Sequence, residues 1–179
     1  VELAARGQED NALEALARAV ALDPSDVESR LRLVRSYVAR GDLDRARGYL
    51  TVDGAPGSVE LRQVLAELEL RTGRLEAGRS LLQSVLEEDP GRRDELVLLG
   101  CHLAETTPDG GFQAVDAATD AAIQGADWPA AAAALHEFVT RVPGHIPALM
   151  KLVEICVDGG LEATMYSAQA QLADAYLAA

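Results

Sequence analysis

Residues 12–24 run from Ala12-Leu13-Glu14-Ala15-Leu16 to Asp23-Pro24, and the layout returns in residues 78–90, from Gly78-Arg79-Ser80-Leu81-Leu82 to Asp89-Pro90. Ala46 and Leu50 stand between them. The steps from Ala12 to Ala46 to Gly78, and from Leu16 to Leu50 to Leu82, are 34 and then 32 residues. Gly7, Gly41 and Gly73 keep the same intervals. Each ends one apolar-periodic stretch just before another starts, where a helix end needs a residue tolerant of positive φ. One two-helix unit, repeated, accounts for all three series, and such a period marks a stacked-repeat architecture.

The composition points the same way. Of 179 residues, 49% are hydrophobic, 25% charged and 4% aromatic, with 32 Ala and seven Pro. That is apolar mass for one domain or a short repeat array, which excludes disorder, and the Ala content with few β-branched residues favours helix over sheet. No apolar run approaches the roughly 18 residues of a membrane-spanning helix. The formal charge of −13 disfavours general affinity for nucleic acid or anionic membranes. Residues 1–93 hold 17 acids and 14 bases, whereas residues 94–179 hold 12 acids and two bases, Arg141 and Lys151. Fifteen of the 16 bases are Arg, a uniformity that reflects genome bias. Cys101 and Cys156 are too few for a disulfide framework, and each falls in an apolar helical stretch as a core thiol. With no initiating Met and no signal peptide at Val1-Glu2-Leu3, and an apolar end at Tyr176-Leu177-Ala178-Ala179, the chain reads as cut from a longer protein, with a cytoplasmic location favoured.

At the first helix of each unit a large apolar residue precedes a smaller one, with another packing residue one turn on: Leu33-Val34 with Tyr37, Leu65-Ala66 with Glu69, Leu99-Gly100 with Leu103, Leu152-Val153 with Cys156, and Leu172-Ala173 with Tyr176. The second helix shows Ala12/Leu16, Ala46/Leu50, Gly78/Leu82 and Ala131/Leu135, with Pro24, Pro90 and Pro143 between units. A small residue beside a large one lets the paired helix approach closely. These positions resemble the tetratricopeptide repeat, without the Trp of its opening slot. The resemblance implies an all-α, right-handed α-solenoid of stacked antiparallel helix pairs.

The phase then breaks. Leu82 to Leu135 is 53 residues and Leu152 to Leu172 only 20, each excess being about one helix and a turn. The expected organisation is one solenoid: a partial repeat at 1–26, repeats at 27–58 and 59–92, an extra helix and breaker at 93–111, a degenerate repeat at 112–145, and irregular helices or partial repeats at 146–179. Helices are expected near 9–22, 26–39, 42–51, 58–71, 74–88, 93–105, 112–124, 127–141, 146–157 and 161–177. The breaker is Thr106-Thr107-Pro108-Asp109-Gly110-Gly111; Gly110-Gly111 and Gly159-Gly160 are both read as helix terminators. Residues 51–58 are expected to shorten one second helix.

No catalytic signature is present: no G-x-S-x-G, P-loop or G-x-G-x-x-G, and His136-Glu137 lacks a second His for a zinc motif. His102, His136 and His145 fall on different elements, so neither a metal site nor a cofactor is expected. Asp116 and Asp120 read as a solvated helix face. Arg30, Arg32, Arg35, Arg40, Arg45 and Arg47 give residues 27–49 a local +3, read as a solvated face with intrahelical ion pairs, or as a patch for an acidic peptide, for the acidic half of a second copy or, without the support of interleaved aromatics, for nucleic acid.

The resemblance further implies a groove lined by first helices: Glu28, Leu31, Arg35 and Val38; then Glu60, Gln63, Glu67 and Leu70; then Asp94, Val97 and Cys101, with Asp116 and Asp120 beyond the join. Such a mostly acidic lining suits a basic or amphipathic peptide with aliphatic anchors. The carboxylate-clamping mode of the family needs Lys and Asn in the groove, and the chain has one of each, Lys151 and Asn11. The expected function is a noncatalytic protein-interaction scaffold, with no nucleic-acid partner and no membrane insertion. The alternative is an assembly or regulatory module of a larger enzyme or sensor, acting as a homo-oligomer.

Overall fold

The computed structural model describes residues 2–50 and 58–179, with side chains of the first helix described from residue 10 onward. Ten α-helices are found among them, and no strand: α1 Glu2–Leu22, α2 Val27–Ala39, α3 Leu43–Leu50, α4 Val59–Arg71, α5 Leu75–Glu88, α6 Arg93–Leu103, α7 Pro108–Gln124, α8 Trp128–Arg141, α9 Ile146–Asp158 and α10 Glu162–Ala178. A short 3-10 turn, Pro90–Arg92, enters α6. The loop expected at 51–58 lies almost wholly outside the described residues. The helices form two compact units, residues 1–68 and 69–179.

In the first unit α2 packs against both α1 and α3. Leu33, Val34 and Ala46 are fully buried, joined by Leu13, Val20, Tyr37, Leu50, Leu61 and Leu68. Tyr37 and Tyr49 stack with ring centroids 5.7 Å apart. Arg30 is 1% exposed. It lies on the buried stripe of α2, one turn before Leu33 and Val34, and its guanidinium donates to the Tyr49 carbonyl at 2.8 and 3.2 Å and to the Pro24 carbonyl at 3.2 Å. A buried cation is tolerable when carbonyls occupy its donors. The solvated-face reading of this residue is therefore corrected. Two further expectations fail here. α1 runs unbroken through Gly7, so that glycine ends no helix. Ala12 is exposed, because α1 buries only the stripe that faces α2; Leu13 and Val20 carry that packing, with Leu16 half-buried beside them.

Four turns repeat one geometry along the chain. Gly41, Gly73, Ala126 and Gly160 have φ of 74°, 78°, 56° and 68°. In each, the next residue's N–H reaches back to the carbonyl five residues earlier: Asp42 to Tyr37 (3.0 Å), Arg74 to Glu69 (2.9 Å), Asp127 to Ala122 (2.9 Å) and Leu161 to Cys156 (2.8 Å). This left-handed closure satisfies carbonyls at a helix end and turns the chain back on itself. It marks α2, α4, α7 and α9 as the first helices of pairs. α10, which follows the Gly160 turn, is a second helix, so the expected first-helix match at Leu172-Ala173 with Tyr176 is wrong; Tyr176 is exposed and α10 buries Ala168 and Ala175 instead.

α6 has no left-handed turn after it. It connects to α7 through residues 104–107, and Pro108 occupies the first turn of α7, where its missing N–H is harmless. Gly110 and Gly111 thus lie buried in the opening turn of α7 and do not terminate a helix as expected. A Cβ on Gly111 would stand 2.5 Å from the Gly100 carbonyl oxygen and 2.8 Å from the Ala104 nitrogen; a Cβ on Gly100 would stand 2.6 Å from the Gly111 oxygen. The two backbones touch across the helix crossing, and α6 and α7 make the most extensive pairing of the unit. α7 also packs on α5, as α8 packs on α9. α6 is therefore an insertion, and α7 takes the place of the next first helix. The second-unit core is continuous through Val115, Leu135, Phe138, Leu149 and Leu152. Leu82, Gly78, Gly100 and Ala131 are buried as the repeat pattern requires, and Leu65 and Leu99 are half-buried.

Gly111→Ala is expected to destabilise the second unit by about 1–3 kcal/mol, since only backbone atoms surround the added methyl. Gly48→Ala, within α3 and with nothing inside 4 Å, is expected to stabilise by up to about 1 kcal/mol. Urea unfolding of both variants followed by circular dichroism checks the opposite signs.

Candidate functional site

A groove of about 650 Å3 opens on the face of the second unit built by α5, α7 and α9. Its floor is a four-charge network. Asp116 and Asp120, one turn apart on α7, each receive Arg79 from α5 and Lys151 from α9. Asp116 is 3% exposed and pairs with Arg79 through Oδ2 and with Lys151 through Oδ1. Asp120 lies 2.6 Å from Arg79 Nη2 and 2.6 Å from Lys151 Nζ. Gln113 accepts a further bond from Arg79 at 3.3 Å. Partial burial weakens solvent screening, while each carboxylate meets two cations, so the network clamps three helices. The expectation that Asp116 and Asp120 form a solvated face is corrected. Residues 31 to 41 positions apart meet here, a separation that no local periodicity reveals.

The walls are apolar: Phe112, Ile123, Trp128, Pro147, Met150 and Ile155. Glu154 and Asp158, both exposed, complete the lining from α9. At the other end of α9 the buried His145 caps the helix, its Nδ1 accepting from the Ala148 N–H at 3.2 Å, between the rings of Phe112 and Phe138. Nε2 faces Asp109 at 3.2 Å. Sequence reasoning gave His145 no role, although a polar residue directly before an apolar helix is a capping signal.

The expected groove residues fall in both units. Glu28 and Arg35 are exposed on α2, with Leu31 and Val38 half-buried; Glu60 is exposed, and Gln63 and Glu67 are half-buried on α4. These stripes belong to the first unit. Leu70 is fully buried, and so offers nothing to a ligand. Asp94 and Val97 lie on α6 and face a shallow depression against α8, while Cys101 is buried. The structure does not bring them together with Asp116 and Asp120, which lie on the α5/α7/α9 face, because the inserted helix packs against the Gly111 and Val115 stripe of α7 and not against the stripe that lines the groove. Of the Arg cluster, Arg32 pairs with Glu28 and Arg40 with Asp10, both at 2.5 Å, and Arg45 with Asp42 at 3.3 Å; Arg45 also lies 5.9 Å from the centre of the Tyr37 ring.

Among the described residues no group of three or more His, Cys, Asp or Glu is placed to hold a metal ion, and no helix is long and apolar enough to cross a membrane. Burial pushes the thiols of Cys101 and Cys156 up from their ordinary range, which suppresses the reactive thiolate.

Alternating left-handed turns and paired helices define a helical-repeat solenoid. Two family models described as tetratricopeptide repeat match residues 3–52 and 31–93, together just over half of the chain. The chain belongs to the tetratricopeptide repeat family. Among solved structures it is similar to a crystal structure of MamA, at 18% identity over 98% of this chain and 92% of that one, with a TM-score of 0.51. A second MamA crystal structure matches at 18% identity over 97% and 86%, TM-score 0.50, and the MamA RS-1 ArsTM double mutant at 16% over 99% and 90%, TM-score 0.50. At these identities the likeness is one of fold. No curated protein sequence matches the chain.

Asp116→Ala leaves two cations against one carboxylate and is expected to destabilise by about 3 kcal/mol, whereas Glu14→Ala, which breaks the exposed Arg18 pair, is expected to change stability by less than about 0.5 kcal/mol. Urea titrations of the two variants provide the comparison. A thiol-reactive chromophore is expected to modify neither cysteine of the native chain rapidly and both after unfolding in guanidinium.

Proposed function

We propose that this chain is a noncatalytic scaffold that holds a segment of another protein against its first-helix stripes. The observation that carries the reading is the repeated left-handed turn, which sets α2, α4, α7 and α9 in equivalent roles. Stacked repeats present such helices as extended binding surfaces. In the first unit the stripe of Glu28, Leu31, Arg35 and Val38 on α2 and that of Glu60, Gln63 and Glu67 on α4 set carboxylates beside aliphatic surface, Glu28 in an exposed pair with Arg32 that is weak enough to exchange, which suits a basic or amphipathic partner segment. The titratable groups that do converge in the second unit are locked in mutual ion pairs, the arrangement of a structural clamp and not of a general acid and base.

The test is affinity capture with the chain as bait, followed by binding measurements on the partner identified. Replacing Glu60 and Glu67 by Arg is expected to weaken a basic partner at least about tenfold. Unchanged affinity contradicts the role of the α4 stripe. Recovery of further copies of the parent chain alone supports the self-assembling module in place of the scaffold.

A further inference from the structure

We propose that the groove between α5, α7 and α9 docks a partner segment in which cationic side chains alternate with aliphatic ones, the cationic heads meeting Glu154 and Asp158. The proposal rests on the scaffold reading and supplies its partner chemistry in the second unit. Three observations lead to it. All four carboxylate oxygens of Asp116 and Asp120 are engaged by Arg79 and Lys151, so the floor is charge-balanced. The cations of the floor are thereby spent, and a carboxylate or phosphate finds no open partner in them. The charge left over is that of Glu154 and Asp158, one turn apart on α9 and in no ion pair among the described residues.

Glu154 and Asp158 also stand toward the C-terminal end of α9. Asp158 is the last residue of α9, and the last turn carries no base. The negative end of the helix dipole lies at that terminus, so a carboxylate there is held in an unfavourable field. A bound cation relieves both the dipole and the mutual repulsion of the pair. The third is the apolar wall. Met150 is 52% exposed, and Trp128 lines the same groove, so aliphatic stems have surface to cover while their charged heads reach the acids. A volume near 650 Å3 accommodates a few side chains of an extended segment. A second copy of this chain is a poorer occupant: in its arginine cluster Arg30 is buried, Arg32, Arg40 and Arg45 are already paired and Arg47 is engaged, which leaves the exposed Arg35 with no neighbouring cation to alternate with.

Trp128 is the single tryptophan of the chain, so its fluorescence reports on this groove alone. The experiment titrates the chain with a capped synthetic peptide of about ten residues alternating Arg and Leu, and with its Glu/Leu counterpart. A saturable change in Trp128 emission is expected with the Arg/Leu peptide only. The double variant Glu154→Gln with Asp158→Asn is expected to lower its affinity at least about tenfold. A control with the same charge change, Glu162→Gln with Asp174→Asn on α10, is expected to change it little. An absent Trp128 response, or equal losses in both double variants, overturns the proposal, the latter because general attraction to an acidic chain then explains binding. Should a captured partner bind the groove variant undiminished, the scaffold reading stands and this assignment falls.

Discussion

Gly100 and Gly111 meet backbone to backbone where α6 crosses α7, and the arrangement of the second unit follows from that contact. Two helices can approach this closely only where neither carries a Cβ at the crossing. With α6 seated there, α7 remains available to α5, and the regular succession of helix pairs resumes one helix later. The consequence is a change of parity. First helices are even-numbered before the insertion and odd-numbered after it, as the left-handed turns at Gly41, Gly73, Ala126 and Gly160 record. Ala126 adopts that conformation without the freedom of glycine, which shows how firmly the neighbouring pair fixes the turn.

Parity decides which side chains can serve a ligand. Because α7 and α9 are first helices, Asp116, Asp120, Lys151, Glu154 and Asp158 share a face, while Asp94 and Val97 on the inserted helix look toward α8. The four-charge network then has two effects at once. It ties α5, α7 and α9 together from positions far apart in the chain, and it neutralises the centre of the groove so that the two outer carboxylates set its polarity. In the proposed docking mode, stability and recognition are consequences of the same pairing.

Much of this was legible in the sequence, and the failures are instructive. The two-helix period, the positive φ of Gly41 and Gly73, the extra helix near residue 93 and the buried cysteines all follow from spacing and polarity. Glycine misled where it is used for closeness: Gly110 and Gly111 look locally like terminators, and only Pro108 at the start of a helical run signals that α7 has already begun. Arg30 sits at the apolar phase of α2, so its burial was readable from its spacing to Leu33 and Tyr37, although its carbonyl partners were not. The ion network was unreadable, since Arg79, Asp116 and Lys151 belong to three helices whose adjacency depends on the insertion.

The most direct test is a nuclear Overhauser measurement on a sample labelled at glycine and at valine methyl groups. The account predicts cross-peaks between the α-protons of Gly100 and those of Gly111, and between Gly100 and a methyl of Val115, across the α6–α7 crossing. If the α-protons of Gly100 show contacts within α6 only, the helices do not touch there, and the inserted-helix account of the groove is contradicted.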